Sequence, residues 1–440
     1  MKRTLLTSLL AMLSIAGITW AQTEPSFKPG VPIKIVTDRP AALYPVGQPV
    51  IFQVTLAPEI TADGPREIHF VLSHDGADQL AQGTWVTAGN SLSITGKLTA
   101  PGFLRCQVSC TGSGKTEFSA LAATGIEPLR IKPSLPVPVD FDAYWRTQKQ
   151  KLAEVPLKPV LTPVPSPSPD VDCFDVQVQC AGGAPVSGYL ARPKGARPHS
   201  LPAILSVHGA GVRSSILATA VKDARYGALG MDMNAHGIPN GRPSEFYEEL
   251  IKGRLANYRH EGRENRDTYY FRGMYLRLVR ALEFLRAQPE WDGHTLIVHG
   301  ASQGGGQSIV AAGLDSHVTA IVAHIPAMCD HTGQICGWPK LVPHGHDGQP
   351  DPQISEVARY YDAMNFATRT TAEALVTVGF IDDTSRPTSV YAAYNNWNGP
   401  KQILNRPLMT HAVLPECSKA EADFIQTHIR KLSQHSDLIH

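Results

Sequence analysis

Leu296-Ile297-Val298-His299-Gly300-Ala301-Ser302-Gln303-Gly304-Gly305-Gly306-Gln307 decides how the rest of the chain is read. Its first three residues are bulky and apolar, as in a buried strand. A tight turn runs through Gly300 to Gly304, and the small and apolar residues from Gly305 to Leu314 suit a helix. This is the G-x-S-x-G pattern in a strand–turn–helix setting. A serine on so sharp a turn needs neighbours without side chains, so that strand and helix can approach and the hydroxyl can project. The turn also puts Ser302 at a helix N-terminus, where the Gln303 backbone N–H faces the position of a developing oxyanion. A five-residue pattern recurs by chance. Its meaning depends on what the chain supplies elsewhere.

The chain has 440 residues, room for two or three domains and a large core. Charged residues are 18% and hydrophobic residues 42%, which excludes a disordered chain. The net charge of +1, with acids and bases interspersed, argues against a nucleic-acid or anionic-membrane surface. Lys2 and Arg3 precede an apolar run ending in Thr19-Trp20-Ala21, which reads as a signal peptide over residues 1–21 and a periplasmic or secreted protein. No later stretch is long and apolar enough to span a bilayer. The seven cysteines form no zinc pattern. Cys106 and Cys110 sit in an alternating stretch and read as small core residues, while Cys329 and Cys336 flank a loop and are the best disulfide candidates.

Residues 22–127 read as an all-β sandwich. Phe52, Val54 and Leu56 alternate with Ile51, Gln53 and Thr55, and Leu104, Cys106, Val108 and Cys110 alternate with Arg105, Gln107 and Ser109. This region could bind carbohydrate, cover a neighbouring subunit or act as a spacer; with no aromatic platform in view, a packing role is favoured. Residues 128–139 form a proline-punctuated, extended link. Asp140 or Asp142 caps a helix reaching about Leu152, whose Phe141, Tyr144, Trp145 and Leu152 dock on the main domain. A second proline-rich stretch, Pro156 to Pro169, reads as an exposed loop.

From Val171 strands alternate with helices. Ala203–Val207, Leu229–Met233, Thr319–His324 and Ala372–Val378 read as strands, and Met274 to Leu285 has helical spacing. Ser418 with Glu421 reads as a capping box for a final helix whose Ile425, Ile429 and Leu432 face the core. The alternation predicts an α/β fold, a doubly wound and mostly parallel sheet over residues 140–440.

A serine hydroxyl needs a base to take its proton and a carboxylate to orient that base. In a sheet of this kind the chain order is serine, acid, histidine. Asp382 or Asp383, just after the strand Ala372–Val378, supplies the acid, and His411 before the final helix supplies the base. His208-Gly209-Ala210-Gly211, after the strand Ala203–Val207, resembles the HGGG-type oxyanion loop. It assigns the Ala210 N–H as a second donor beside that of Gln303.

Five stretches then carry a family resemblance: DFDAYW (140–145), RDTYYFR (266–272), GASQGGGQ (300–307), YYDAMNFA (360–367) and GFIDDTSRPTSVYAAYNNWNGPK (379–401). The chain from about Pro138 onward resembles the acetyl xylan esterase / cephalosporin-C deacetylase group, carbohydrate esterase family 7. The resemblance implies an α/β-hydrolase that removes acetyl groups from small acetylated sugars, often as a disc-like homo-oligomer, a hexamer; serine esterase chemistry itself calls for no metal or other cofactor. It carries Ser302 over as nucleophile and His411 as base, and it selects Asp382 as the acid. Three positions depart from the family pattern. Ala210 stands where the family has tyrosine, Asn234-Ala235-His236-Gly237 where it has R-G-Q, and His411-Ala412 where it has His-Glu. The β-region before residue 128 lies outside the resemblance.

His344, His346 and Asp347, with Asp330 and His331, read as a polar insertion loop rather than a metal site, since no ligand spacing is fixed. The alternatives to a carbohydrate deacetylase are a serine hydrolase of another ester or an amide, and a non-catalytic carbohydrate-binding protein on the same fold.

Overall fold

The structure, a computed structural model, describes residues 32–61, 64–87, 89–111, 117–333, 342 and 351–436. The expected signal peptide, Cys336, His344, His346 and Asp347 lie outside the described residues.

Eight strands are described before residue 127: β1 (Ile33–Thr37), β2 (Leu43–Tyr44), β3 (Val50–Leu56), β4 (Glu67–His74), β5 (Asp78–Val86), β6 (Ser91–Gly96), β7 (Gly102–Thr111) and β8 (Glu117–Ile126). They make two sheets, ordered β1-β3-β6 and β2-β8-β7-β4-β5. Period-two alternation sends Phe52, Val54 and Leu56 of β3 and Leu104, Cys106, Val108 and Cys110 of β7 into one shared core. The opposite face of β7 behaves differently. Phe103 and Arg105 are as buried as their neighbours, whereas Gln107 is exposed. The first half of β7 is therefore covered on both sides.

The cover is a loop and a helix, residues 380–383 and Pro387–Asn396, that belong to a second unit built on a nine-stranded sheet. Its members are β9 (Val160–Pro163), β10 (Val171–Val178), β11 (Val186–Pro193), β12 (Leu201–Val207), β13 (Leu229–Asn234), β14 (Trp291–Ala301), β15 (Ala320–His324), β16 (Glu373–Gly379) and β17 (Lys401–Arg406). The order is β17-β16-β15-β14-β12-β13-β11-β10-β9, with β12 to β17 parallel and β9 to β11 joined antiparallel at one edge. Parallel strands buried on both faces are mostly apolar, and every residue of β12, β13 and β15 is buried, Asp232 and Asn234 of β13 being partnered by the Ile216 N–H and the Arg213 carbonyl. Ile204, Ile297, Val322 and Leu375 face Phe424 and Ile425 of the final helix. Ala203, Leu205, Leu296 and Val298 face the other way, onto a core holding Leu278, Leu282, Ile309 and Val310 from two further helices. Among the described residues no helix is long and apolar enough to cross a membrane.

Several local expectations change. The final helix spans Pro415–Ser436, so Ser418 lies inside it and forms no capping box; Glu421 turns inward instead. Asp140 sits at the N-cap of the helix Phe141–Ala153 without a side-chain cap bond. Its carboxylate accepts from Tyr360 Oη and pairs with Arg266, because charged and phenolic donors outbid a backbone N–H. Asp142 pairs with Arg369. The stretch from Pro156 is not all loop, since β9 pairs with β10. Cys329 is a buried free thiol.

The proline-punctuated link is strapped to the large sheet's layer. Asn395 Nδ2 donates to the carbonyls of Pro128 (2.9 Å) and Ile131 (2.8 Å), and Arg359 Nη2 donates to that of Pro136 (2.8 Å). Phe103 packs edge-on against Phe380, with ring centroids 4.9 Å apart, and also meets Tyr391 at 5.6 Å.

Candidate active site

The parallel strands β12, β14, β16 and β17 each deliver one expected site segment just past their carboxyl ends, where groups collect in such sheets. Ser302 follows β14 in a conformation that side chains rarely adopt, φ 57° and ψ −121°. Its backbone is tied on both sides: its N–H donates to His324 O (2.9 Å), and its carbonyl accepts from Gly306 N (3.0 Å) and Ala327 N (2.9 Å). Close approach explains the flanking glycines. A Cβ at Gly300 would stand 2.4 Å, and one at Gly304 2.0 Å, from the Val207 carbonyl oxygen. Neither fits without moving the backbone.

Ser302, His411 and Asp382 come together. His411 Nε2 lies 2.8 Å from Ser302 Oγ, and His411 Nδ1 lies 2.8 Å from Asp382 Oδ2. A carboxylate only accepts, so Nδ1 carries the proton and Nε2 accepts from the serine hydroxyl. Asp382 is fully buried, and its other oxygen accepts from the N–H groups of Thr384 and Ser385, each at 2.8 Å. Asp383 points away, its carboxylate largely exposed and paired with Arg105. The arrangement can strip a proton from the serine as it attacks a carbonyl carbon and hold the resulting imidazolium.

The loop His208–Gly211 lies against the elbow: a Cβ at Gly209 would stand 3.6 Å from that of Ser302. The residue after Gly209 is Ala210 and the residue after Ser302 is Gln303, so the two expected backbone donors follow neighbouring positions at the ends of β12 and β14. Behind them lies a cluster that sequence reasoning missed. His236 Nε2 donates to Gly211 O (3.1 Å) while its Nδ1 accepts from Tyr270 Oη (2.8 Å). Tyr258 Oη donates to Gln303 Oε1 (2.9 Å). Burial, with His208 nearby, pushes His236 down to about 3, and burial pushes His208 down to about 4. Both are neutral at ordinary pH and serve as fixed donor–acceptor pairs. Arg277 reaches the same segment, its Nε and Nη2 donating to Ala235 O at 3.1 and 2.9 Å. A guanidinium from a helix thus serves the stretch where the R-G-Q pattern is missing.

Under the elbow, Glu421 links two strands. It pairs with His299 Nδ1 (2.6 Å) on β14 and His324 Nε2 (2.9 Å) on β15. Burial opposes charge on His299, but Glu421 and Asp223 win and raise it to about 10. Glu421 is correspondingly held well below its ordinary range, burial being outweighed by His299 and its hydrogen bonds. The Ser418–Glu421 spacing drew attention to the right residue for the wrong reason. Asp330 and His331 are structural in their contacts: Asp330 accepts from Ser134 N (3.1 Å) and Oγ (2.7 Å), and both backbone N–H groups donate to Asp362.

The family model for acetyl xylan esterase (AXE1) matches residues 123–428, more than half of the sequence. The chain belongs to the acetyl xylan esterase family. As a member it is a carboxylic ester hydrolase on an α/β-hydrolase sheet. It is 29% identical over 358 residues to acetyl esterase Axe7A of Xylanibacter ruminicola, covering 78% of each chain. Among solved structures it is similar to an acetyl xylan esterase from Paenibacillus sp. R4, with a TM-score of 0.59 and 27% identity. That match covers 68% of this chain and 98% of the other. It also shares the fold of acetyl xylan esterase 1 from Thermoanaerobacterium sp. JW/SL YS485, with a TM-score of 0.58, 22% identity, and 69% and 98% covered. The β-strands before residue 123 lie outside the family match.

Proposed function

We propose that this acetyl xylan esterase family member is an exported serine esterase that removes acetyl groups from acetylated xylan or xylo-oligosaccharides through an acyl-enzyme. The observation that carries the reading is the continuous relay from Ser302 Oγ through His411 to buried Asp382, with each link at 2.8 Å. In this reading Ser302 Oγ attacks the acetyl carbonyl carbon while His411 Nε2 takes its proton. The N–H groups of Ala210 and Gln303 hold the tetrahedral oxyanion, each donor contributing about 3 kcal/mol of barrier lowering. His411 then protonates the departing sugar hydroxyl as the C–O bond breaks. Water gives a proton to His411 as its oxygen attacks the acetyl carbon; the bond from that carbon to Ser302 Oγ then breaks, acetate departs, and His411 returns the proton to Oγ. Asp382 keeps the imidazole oriented and stabilises its charged form.

Acetyl as the acyl group is supported by the relatives, an acetyl esterase and an acetyl xylan esterase. Export follows the leader-like residues 1–21, and a two-domain, homo-oligomeric esterase that uses no cofactor or metal belongs to the same proposal. The test compares kcat/KM for acetylated xylo-oligosaccharides, longer acyl esters and peptide amides, with Ser302→Ala as control. Acetyl esters should be preferred, and the variant should lose at least about a thousandfold in turnover while staying folded. Robust amide cleavage, or near-normal turnover by the variant, would reject the proposal.

A further inference from the structure

The loop that carries Asp382 is gripped by the N-terminal β-region. Arg105 projects from the outer face of β7, opposite Ser73 of β4 and Ala123 of β8 in register. Its Nη2 donates to the backbone carbonyl of Asp382 itself (2.6 Å), and its Nη1 pairs with the Asp383 carboxylate. Its Nε stands 3.1 Å from Asp75 Oδ1. Asp75 sits in the β4–β5 hairpin turn Asp75-Gly76, both residues having positive φ (49° and 75°). That turn brings it against Arg105, and a Cβ on Gly76 would stand 3.0 Å from the guanidinium.

Asp75 makes a second contact. Its Oδ2 accepts from the backbone N–H of Thr388 (3.0 Å). Thr388 is in the first turn of the helix Pro387–Asn396, which lacks a side-chain cap from its own N-cap residue, Arg386. Asp75 therefore caps that helix from another sheet, where an anion is favoured. The segment Asp382–Thr388 is held at its start by Arg105 and at its end by Asp75. Both side chains are buried, at 2% and 0% exposure. Phe103, two residues before Arg105, seals the same seam against Phe380. A planar fork with several donors suits this task, because one group fixes a carbonyl, a carboxylate and a partner charge together.

We infer that Arg105, neutralised by Asp75, is a positioning residue for the catalytic acid, so that the N-terminal β-region completes the active site from the same chain. The inference rests on the serine relay proposed above. It explains why Arg105, a charged residue on the outer face of β7, is buried while Gln107 on the same face is exposed: its guanidinium is engaged by the loop of Asp382. Arg105 touches no substrate. It acts by fixing the backbone from which Asp382 reaches His411.

The experiment uses the full chain and p-nitrophenyl acetate. Removing Arg105 alone would leave Asp75 buried without a partner, so the main variant is Asp75→Asn with Arg105→Met. It removes both charges, keeps an acceptor for the Thr388 N–H and refills much of the guanidinium's volume. The expected result is a folded protein by near-ultraviolet circular dichroism and gel filtration, with KM within about threefold and kcat lowered about a hundredfold, the scale of an ångström-sized misplacement. The acid limb of the kcat/KM profile should also move to lower pH, because the base has lost a well-placed anion at its side. A merely structural role would scale the rate equally at every pH.

Wild-type kcat in the folded variant would overturn the inference. So would a rate loss without movement of the acid limb, or failure of the variant to fold, which would make Arg105 a folding residue. Labelling of the wild type with a fluorophosphonate separates the two proposals. No label on Ser302 removes the serine relay. A labelled wild type together with an unimpaired variant removes only the role of Arg105.

Discussion

The elbow of Ser302 and the loop of Asp382 face the same histidine but are held in opposite ways. The elbow is fixed by its own neighbourhood: glycines that admit the Val207 carbonyl, a helix starting at once, and backbone bonds to His324, Gly306 and Ala327. The acid loop draws its support from residues 277 positions away in sequence, through Arg105, and 313 away, through Asp75. A nucleophile needs a strained backbone, and strain is enforced by close packing at short range. A buried carboxylate needs its surroundings supplied with donors, which a remote element can provide. Accordingly one region is written in a short motif and the other in side chains that form no motif.

Changing the acid itself should have the largest effect. Asp382→Asn keeps the shape of the loop but removes the acceptor that fixes the Nδ1 proton. Turnover of p-nitrophenyl acetate should fall about ten-thousandfold with little change in KM. A loss below tenfold would mean that the acid loop does not serve His411.

Gly304→Ala attacks the elbow locally. The added carbon would stand 2.0 Å from Val207 O, so strand and helix must separate. Activity should fall about a hundredfold or more as Ser302 shifts from His411. Unchanged kinetics would show that the elbow tolerates a side chain and that its glycines are incidental.

Glu421→Gln tests whether the elbow also has a remote support, since Glu421 joins His299 and His324 beneath it. Breaking this buried pair should lower stability by about 3–5 kcal/mol in chemical denaturation. The pH dependence has a definite sign. His299 is raised from 6.5 to about 10, so its contribution is complete below its ordinary range and fades as pH rises through about 10. Glu421 is held below 4.5, so its contribution fades as pH falls through acid values. The wild type should therefore lose Tm between neutral pH and pH 10, and the variant should lose much less over that interval. Parallel profiles would contradict the pairing.

Phe103→Ala sharpens the comparison at lower cost. Emptying the seam against Phe380 and Tyr391 should destabilise by about 3 kcal/mol, read as a lower denaturant midpoint. A change under 0.5 kcal/mol would mean that the β-region contributes nothing to the hydrolase core.

What the sequence disclosed follows the same division. The parallel sheet was legible because β12, β14, β15 and β16 each carry an apolar run and helices of regular period lie between strands, a pattern set by burial on both faces. Ser302 was legible from its glycines, and His411 only from its place in the order. Asp382 could not be separated from Asp383 by residue type; family resemblance favoured one, and the buried side chain at hydrogen-bond distance from His411 is that one. Alternation sets Arg105 on one face of its strand with Gln107 and Ser109, but it tells which residues share a face, not whether another domain covers it. Glu421 was misread because a serine three residues before a glutamate also occurs inside helices. The stretches that hold His236 and Tyr270 stood out only by comparison with a family pattern and Tyr258 not at all, since their meeting depends on the loop after β13 and two later segments.

The most direct test is mass spectrometry of the full chain after reaction with a fluorophosphonate, alongside Ser302→Ala. A single adduct should appear on the peptide that carries Ser302 in the active protein, with activity lost in step, and no adduct should form on the variant. An active protein that stays unlabelled, or an adduct confined to another residue, would contradict Ser302 as the nucleophile.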